Sequence, residues 1–330
     1  MKRLLVIKPS SLGDIVHGLQ VVQGVKAQRP DLHVTWVVRD RFAGLVHAAP
    51  FVDEVIHFRR RDGWAGFWRV IRDIRASSFD AVWDLQGLLR SGIMTAVAKA
   101  PRKYGRPDAR EGAGLLVRRR VARPNGAGPH HAIEVLAPFA ATLGIEPRFE
   151  PRLLELRADD DYPWRSFFAM QPHQNFVIFT DSRGAGKEWP AFDALTGMIF
   201  ERIEGARVAW CAGKRTEPRV SVPADRFLNL SGCPLAEMIA LVRQPSIFIG
   251  NDSGPMHLSA ACGNRVLAIF GPTEPERFGP FPLTAPKHLA VSAPGGVLRE
   301  LRPERVFAEL ETLRQRPAAL TRESSVGPGW

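Results

Sequence analysis

The sequence predicts an α/β protein of two Rossmann-like domains whose parallel sheets face one another across a cleft. Three observations predict it. Short apolar runs alternate with segments of helical periodicity in both halves, a charged proline-bearing interval separates the halves, and each half holds a strand that runs straight into a small-residue turn and a helix. At 330 residues, 45% of them hydrophobic, the chain is long enough for two cores of ordinary size.

The first half opens with an apolar run at 3–8, which reads as a strand. Ile15, Val16, Leu19, Val22 and Val25 then recur at helical spacing, and a second strand follows at 34–38, so the chain begins as a βαβ unit. Phe67, Val70, Ile71 and Ile74 make a further helical stripe, 81–85 a third strand, and Ile133, Leu136, Ala140 and Leu143 another crossover helix. The interval Arg157-Ala158-Asp159-Asp160-Asp161-Tyr162-Pro163 breaks the periodicity and marks the junction. Strands at 176–180, 208–210, 247–249 and 266–270 follow, with helices at 192–203, 235–242 and 256–261. The expected domains are 1–157 and 158–316, with a loose tail at 317–330. No internal repeat is evident.

The stretch SIFIGNDSGPMHLSAACGNRVLAIFGPT, residues 246–273, has the layout of a phosphate cradle. A buried strand ends at Gly250, and Asn251-Asp252-Ser253-Gly254-Pro255 supplies turn and capping chemistry before a helix. A helix amino end offers free N–H groups and a positive dipole end to an anion such as a diphosphate. Neither common phosphate fingerprint is present. There is no G-x-G-x-x-G, and Gly184-Ala185-Gly186-Lys187 has Asp181 and Glu188 where a P-loop needs Gly and Ser or Thr.

The net charge of +11 is unevenly placed, with 24 Lys and Arg against 14 Asp and Glu in residues 1–150 but 21 against 20 in the rest. Arg59-Arg60-Arg61 and the arginine-rich run 102–123 fit an acidic partner or anionic lipid, or else form a solvated basic face. Nothing like an RNP motif, zinc knuckle or helix-turn-helix accompanies that charge, so no nucleic-acid partner is expected. Three cysteines without C-x-x-C spacing, Cys211, Cys233 and Cys262, read as buried free thiols. The apolar run behind Lys2-Arg3 is too short for a leader, and no run approaches a membrane span, which predicts a soluble cytoplasmic protein.

The block NDSGPMHLSAA followed by FGPTEP resembles the donor-binding signature of the ADP-heptose:lipopolysaccharide heptosyltransferases, glycosyltransferase family 9, of GT-B fold. The opening LLVIKPSSLGD is similar to that family's first strand and catalytic loop, and Asp84-Leu85-Gln86-Gly87, Ala109-Arg110-Glu111 and Lys187-Glu188-Trp189-Pro190 fall in the family's order. The Ser10–Asp14 and Asp84–Gly87 segments look closer to the members that add the first heptose to Kdo-lipid A. The resemblance implies an inverting transfer from ADP-heptose with no metal and no cofactor. An acidic Kdo-lipid A acceptor leaves open a peripheral position on the inner face of the inner membrane. A nucleotide-sugar epimerase or hydrolase could share the two-domain cleft and would consume donor without an acceptor.

Asp14, the sole carboxylate in its turn, is the candidate general base by resemblance; on its own it reads first as a helix cap, which is far commoner than a catalytic base. The resemblance places Thr180, Lys187, Glu217, Asp252, Ser253, Gly254 and His257 at the donor. Asp252 would repel a diphosphate, so it is expected to bind sugar hydroxyls or cap the helix, while His257 either donates to a phosphate or is structural. The catalytic loop brings Ser10, Ser11 and Gly13 to the acceptor. Arg60, Arg61 and Arg110 are added because forked guanidinium groups match carboxylates and phosphates. No His, Asp and Glu set shows metal-ligand spacing, and His130-His131 reads as a helix start.

Overall fold

The computed structural model describes residues 2–126, 129–145, 153–159, 161–168, 172–184, 186–214 and 216–316. The expected tail at 317–330, and Asp160 within the expected junction, lie outside the described residues. The first sheet holds β1 (Arg3–Ile7), β2 (His33–Arg39), β3 (Glu54–Phe58), β4 (Ala81–Asp84) and β5 (Arg102–Gly105), all parallel, in the order β3-β2-β1-β4-β5. The second holds β6 (Asn175–Phe179), β7 (Arg207–Cys211), β8 (Phe227–Asn229), β9 (Ile247–Asn251), β10 (Arg265–Phe270) and β11 (His288–Ser292), again parallel, in the order β11-β10-β9-β6-β7-β8. Each sheet starts at its centre, winds to one edge, then crosses back and winds to the other, which is the doubly wound order.

All seven strands expected from the sequence are present. The four that were not, β3, β5, β8 and β11, are the four sheet edges. A central parallel strand is buried on both faces and reads as a continuous apolar run, whereas an edge strand such as Arg102-Lys103-Tyr104-Gly105 does not.

In the first half the helices are α1 (Leu12–Gln28), α2 (Asp40–Ala48), α3 (Gly63–Ala76), α4 (Leu89–Val97) and the short α5 (Ala113–Leu116) and α6 (Ala132–Leu136). In the second they are α7 (Phe192–Arg202), α8 (Leu235–Val242), α9 (Gly254–Ala261), α10 (Pro275–Phe278) and α11 (Pro303–Gln315). The helix expected through Leu143 is α only to Leu136 and tightens to a 3-10 helix over Ala137–Leu143. Pro138 lacks the N–H that would continue the α-helical bonding.

Alternation along β1 sends Leu4 and Val6 to one face, with α1 and α2, and Leu5 and Ile7 to the other, with α3 and α4. The first of these cores does not end with its sheet. Leu154 and Leu156 from the junction, Ile239 and Val242 from α8, and Leu258 and Ala261 from α9 belong to the same apolar cluster as Val16 and Leu19. α1 is thus covered by its own sheet and by α9, which explains why polar His17 and Gln20 are buried with its apolar stripe. Of the three thiols, all free, Cys211 is buried and the other two are half-buried, a correction to the expected full burial. Burial pushes Cys233 up to about 11 and Cys262 up to about 12, so these are poor nucleophiles.

Candidate active site

A doubly wound sheet opens a crevice where its strand order reverses. In the first sheet that point lies between β1 and β4, and the loops leaving both strands are tied by the Ser10 N–H donating to Gln86 Oε1 at 3.3 Å. In the second it lies between β6 and β9, where Asn251 Nδ2 donates to the Thr180 carbonyl at 2.7 Å. A cavity of about 530 Å³ joins the two, with Ser11, Gly13 and Asp14 on one side and Lys187, Asp252, Ser253 and Gly254 on the other.

Asp14 sits in the first turn of α1 behind the N-cap Ser11. Its Oδ2 accepts from the Ser11 N–H at 3.1 Å and the Ser11 hydroxyl at 2.6 Å, and its Oδ1 faces Lys8 Nζ at 3.2 Å. Its side chain is 40% exposed to the cleft while that of Lys8 is 1% exposed. Burial would raise the Asp14 pKa, but the Lys8 charge and the two Ser11 bonds outweigh it and hold the carboxyl well below its usual range. Burial also pulls Lys8 down, against the pull of Asp14. The carboxylate therefore both completes a helix cap and presents an anion to the cavity. Arg106, half-buried and forked onto Asp108 at 2.7 and 2.8 Å, adds positive charge near Asp14 and Asp84.

Behind Asp14 lie three histidines. His17 Nε2 and His257 Nδ1 are 3.2 Å apart, and the His131 ring meets His17 edge-on at 5.0 Å. His131 Nδ1 accepts from the Ile133 N–H, as expected of a helix start, so its Nε2 carries the proton donated to the Gly279 carbonyl at 3.0 Å. Burial lowers all three, His257 to about 4, so the cluster is neutral at pH 7. Two glycines let the helix ends meet here. A Cβ at Gly13 would lie 2.5 Å from His257 Cδ2, and one at Gly254 would lie 2.6 Å from Leu12 Cβ.

On the opposite wall, Lys187 Nζ contacts Asp252 Oδ2 at 2.7 Å, and the Thr273 hydroxyl donates to the same oxygen at 2.9 Å. Asp252 does not cap α9, as the sequence reading allowed; the N-cap is Ser253, and the Asp252 carboxylate is spent on holding Lys187. The ion pair bears on the expected repulsion, since the Lys187 charge offsets that of the carboxylate. Trp189 anchors the lysine's segment, its N–H donating to Asn251 Oδ1 at 3.0 Å and its indole to the Leu301 carbonyl at 2.9 Å. Ser253 Oγ is buried at the amino end of α9 with no hydrogen-bond partner among the described residues.

Several expected residues stand apart from the cavity lining. Glu217 is exposed, outside the lining residues, and Thr180 is one step back, its hydroxyl donating to Asp181 at 3.2 Å. Asp181 in turn accepts from the Gly213 N–H at 2.6 Å, so Thr180 shapes the loop rather than lining the cavity. Ser10 ties the two loops of the first sheet. Arg60 and Arg61 are exposed on a 3-10 turn after β3, and Arg110, also exposed, bonds the Gly87 carbonyl through its backbone at 2.8 Å. Sequence reasoning missed Lys8, His17 and Asp181. Lys8 had a signal, a lysine closing an otherwise apolar strand, but His17 became significant only when α9 packed on α1.

The model of glycosyltransferase family 9 (heptosyltransferase) matches residues 67–294. The lipopolysaccharide core heptosyltransferase OpsX of Haemophilus influenzae is 26% identical over 289 residues, covering 85% of this chain and 82% of that protein. Lipopolysaccharide heptosyltransferase 1 of Pseudomonas aeruginosa is 27% identical over 289 residues, 83% of this chain and 79% of that one. Among solved structures, the Escherichia coli heptosyltransferase WaaC with ADP superposes with a TM-score of 0.75 at 23% identity, over 94% of this chain and 99% of that one, which is the GT-B arrangement of two parallel sheets. The match to more than half the chain, over a fold and cleft of this kind, makes the protein a member of glycosyltransferase family 9.

Proposed function

We propose that this protein moves a heptose from ADP-heptose to the Kdo region of lipid A in a single inverting displacement. The observation that carries the reading is that the Asp14 carboxylate and the amino end of α9 line one cavity. Asp14 takes the proton of the acceptor hydroxyl as that oxygen bonds the anomeric carbon and the bond from that carbon to the diphosphate breaks. ADP leaves with the electron pair, and no covalent enzyme intermediate forms. General-base assistance of this kind is worth about 10² to 10⁴ in rate.

Charge develops on the departing diphosphate, so groups that hold it more tightly then than before contribute to the rate. Lys187, the Ser253 hydroxyl and the first N–H groups of α9 are placed for this, and His257 supplies a neutral imidazole beside them. Leu235 and Met238 of α8 give the same cavity an apolar wall suited to a nucleobase. These groups do the work that a divalent cation does for other nucleotide-sugar enzymes. The named relatives, one a lipopolysaccharide core heptosyltransferase and one a lipopolysaccharide heptosyltransferase 1, support heptose transfer in lipopolysaccharide synthesis as the reaction class.

The test is ADP release from ADP-heptose with and without Kdo-lipid A, followed by mass analysis of the lipid. Acceptor-dependent release with one heptose added supports the reading. Release without acceptor makes the protein a hydrolase instead.

A further inference from the structure

We propose that the outer face of α3 docks this protein on an anionic phospholipid bilayer. Trp64 and Trp68, one turn apart, are 74% and 64% exposed, the most exposed large hydrophobic aromatics among the described residues. Arg72 and Arg75 continue the same stripe, since positions i, i+4, i+8 and i+11 fall within one helical face. A shallow groove of about 510 Å³ lies between them, floored by Ile71 and Ala76 and edged by Trp68 and the two arginines.

Contiguous exposed apolar surface on a soluble domain marks a site of contact. Here the surface mixes indole rings, which settle at the headgroup level, with guanidinium groups that pair with lipid phosphates while their stems cover hydrocarbon. Arg75 has no ion-pair partner among the described residues, and Arg72 touches only Asp73 at 3.4 Å. The neighbouring α4 and α5 carry exposed Leu89, Leu115 and Leu116, which have no use on a polyphosphate and favour a bilayer over a nucleic acid. The charge is complementary as well, because the excess of Lys and Arg is confined to this half of the chain.

The placement is coherent with the cleft. α3 and α4 lie on the face of the first sheet opposite α1 and α9, so the second domain does not cover them. Both helices start at the carboxyl ends of their strands, the edge that also carries Asp14. A bilayer against α3 would thus lie beside the cleft mouth. The inference deepens the proposed function, since an acceptor held by its lipid must be met at a surface. Its test uses no sugar donor or acceptor for the binding step and so fails independently of that reading.

The experiment is co-sedimentation of the full chain with phosphatidylcholine vesicles, with and without phosphatidylglycerol. Wild type is expected to bind the anionic vesicles, and Trp64→Ala/Trp68→Ala and Arg72→Glu/Arg75→Glu are each expected to weaken binding by at least about tenfold. Reversal of Arg299 and Arg305, exposed in the second half of the chain, should change it by less than about threefold. Both α3 variants should keep the wild-type melting temperature and full activity on detergent-dispersed acceptor. Failure of wild type to bind anionic vesicles overturns the proposal, as does a Trp64/Trp68 variant that binds like wild type. Conversion of a dimer to a monomer by that variant, read by sedimentation velocity, would assign the face to a second copy of the chain and overturn it too.

Discussion

Gly13 of α1 and His257 of α9, far apart in the chain, touch so closely that a methyl group on Gly13 would lie 2.5 Å from the imidazole Cδ2. His257 is held from behind by His17, and His17 by its place inside α1. The helix end that carries the candidate base and the helix proposed to face the diphosphate are therefore set against each other by contact, and Gly254 against Leu12 repeats the arrangement from the other side. The two halves of the site share one packed seam.

Gly13→Ala should open that seam. Overpacking of a buried contact costs about 1–3 kcal/mol, which outweighs the helix-propensity gain of up to about 1 kcal/mol. Gly24, in the same helix with nothing within 4 Å of a Cβ, is the control: Gly24→Ala should raise the melting temperature while Gly13→Ala lowers it. A Gly13→Ala protein as stable and active as wild type would show that the contact relaxes freely.

Lys8→Met should expose the cause of the low Asp14 pKa. Wild type, with the carboxyl held ionised by Lys8 and Ser11 against the effect of burial, should show no acid limb from Asp14 in kcat/KM above pH 4. Removing the buried ammonium leaves burial less opposed, so the limb should move up into the measurable range. An unchanged profile in the variant would mean that Ser11 alone sets the acidity.

Lys187→Ala and Asp252→Asn act on one ion pair, closed at 2.7 Å. The first should weaken ADP-sugar binding by roughly 1–3 kcal/mol through the lost charge-assisted contact, the second by loosening the lysine. Their effects in a double-mutant cycle should be less than additive, measured by calorimetric titration with ADP. Full additivity would place the two residues in separate roles.

Stability should fall on acidification before the carboxylates titrate. Burial holds His288 near 4, against 6.5 in the unfolded chain, and His257 likewise. Between those values the unfolded state binds more protons, so stability is full above about pH 6.5 and is lost as the pH drops toward 4. For His288 the loss is about 3 kcal/mol. His288→Asn, which keeps a donor for the Pro282 carbonyl, should flatten that part of a urea-unfolding profile against pH, and an equally steep variant would assign the slope elsewhere.

What the sequence revealed follows burial. Every strand with two buried faces was legible, as were α1, α3, α7, α8 and α9, whereas the four edge strands and the helices α2, α4 and α11 were not. The strand-turn-helix layout at 246–273 was legible because its turn residues are local, and the structure has it as β9 and α9 with Ser253 at the N-cap. Asp252 was misjudged because its partner, Lys187, reaches it from the loop after another strand. Lys8 and His17 were passed over because their meaning lies in contacts made beyond their own element, with Asp14 and with His257. Glu217 rested on resemblance alone and is exposed, outside the cavity lining.

The most direct test is a comparison of Asp14→Asn with wild type, measuring ADP release from ADP-heptose in the presence of Kdo-lipid A alongside the affinity for ADP. The amide keeps the bonds from Ser11 within reach but cannot take the acceptor proton. Turnover should fall by about 10² to 10⁴ while ADP affinity stays within a few fold. Full turnover in Asp14→Asn would contradict the account, and a parallel loss of ADP affinity would make Asp14 part of the fold of the cleft rather than its base.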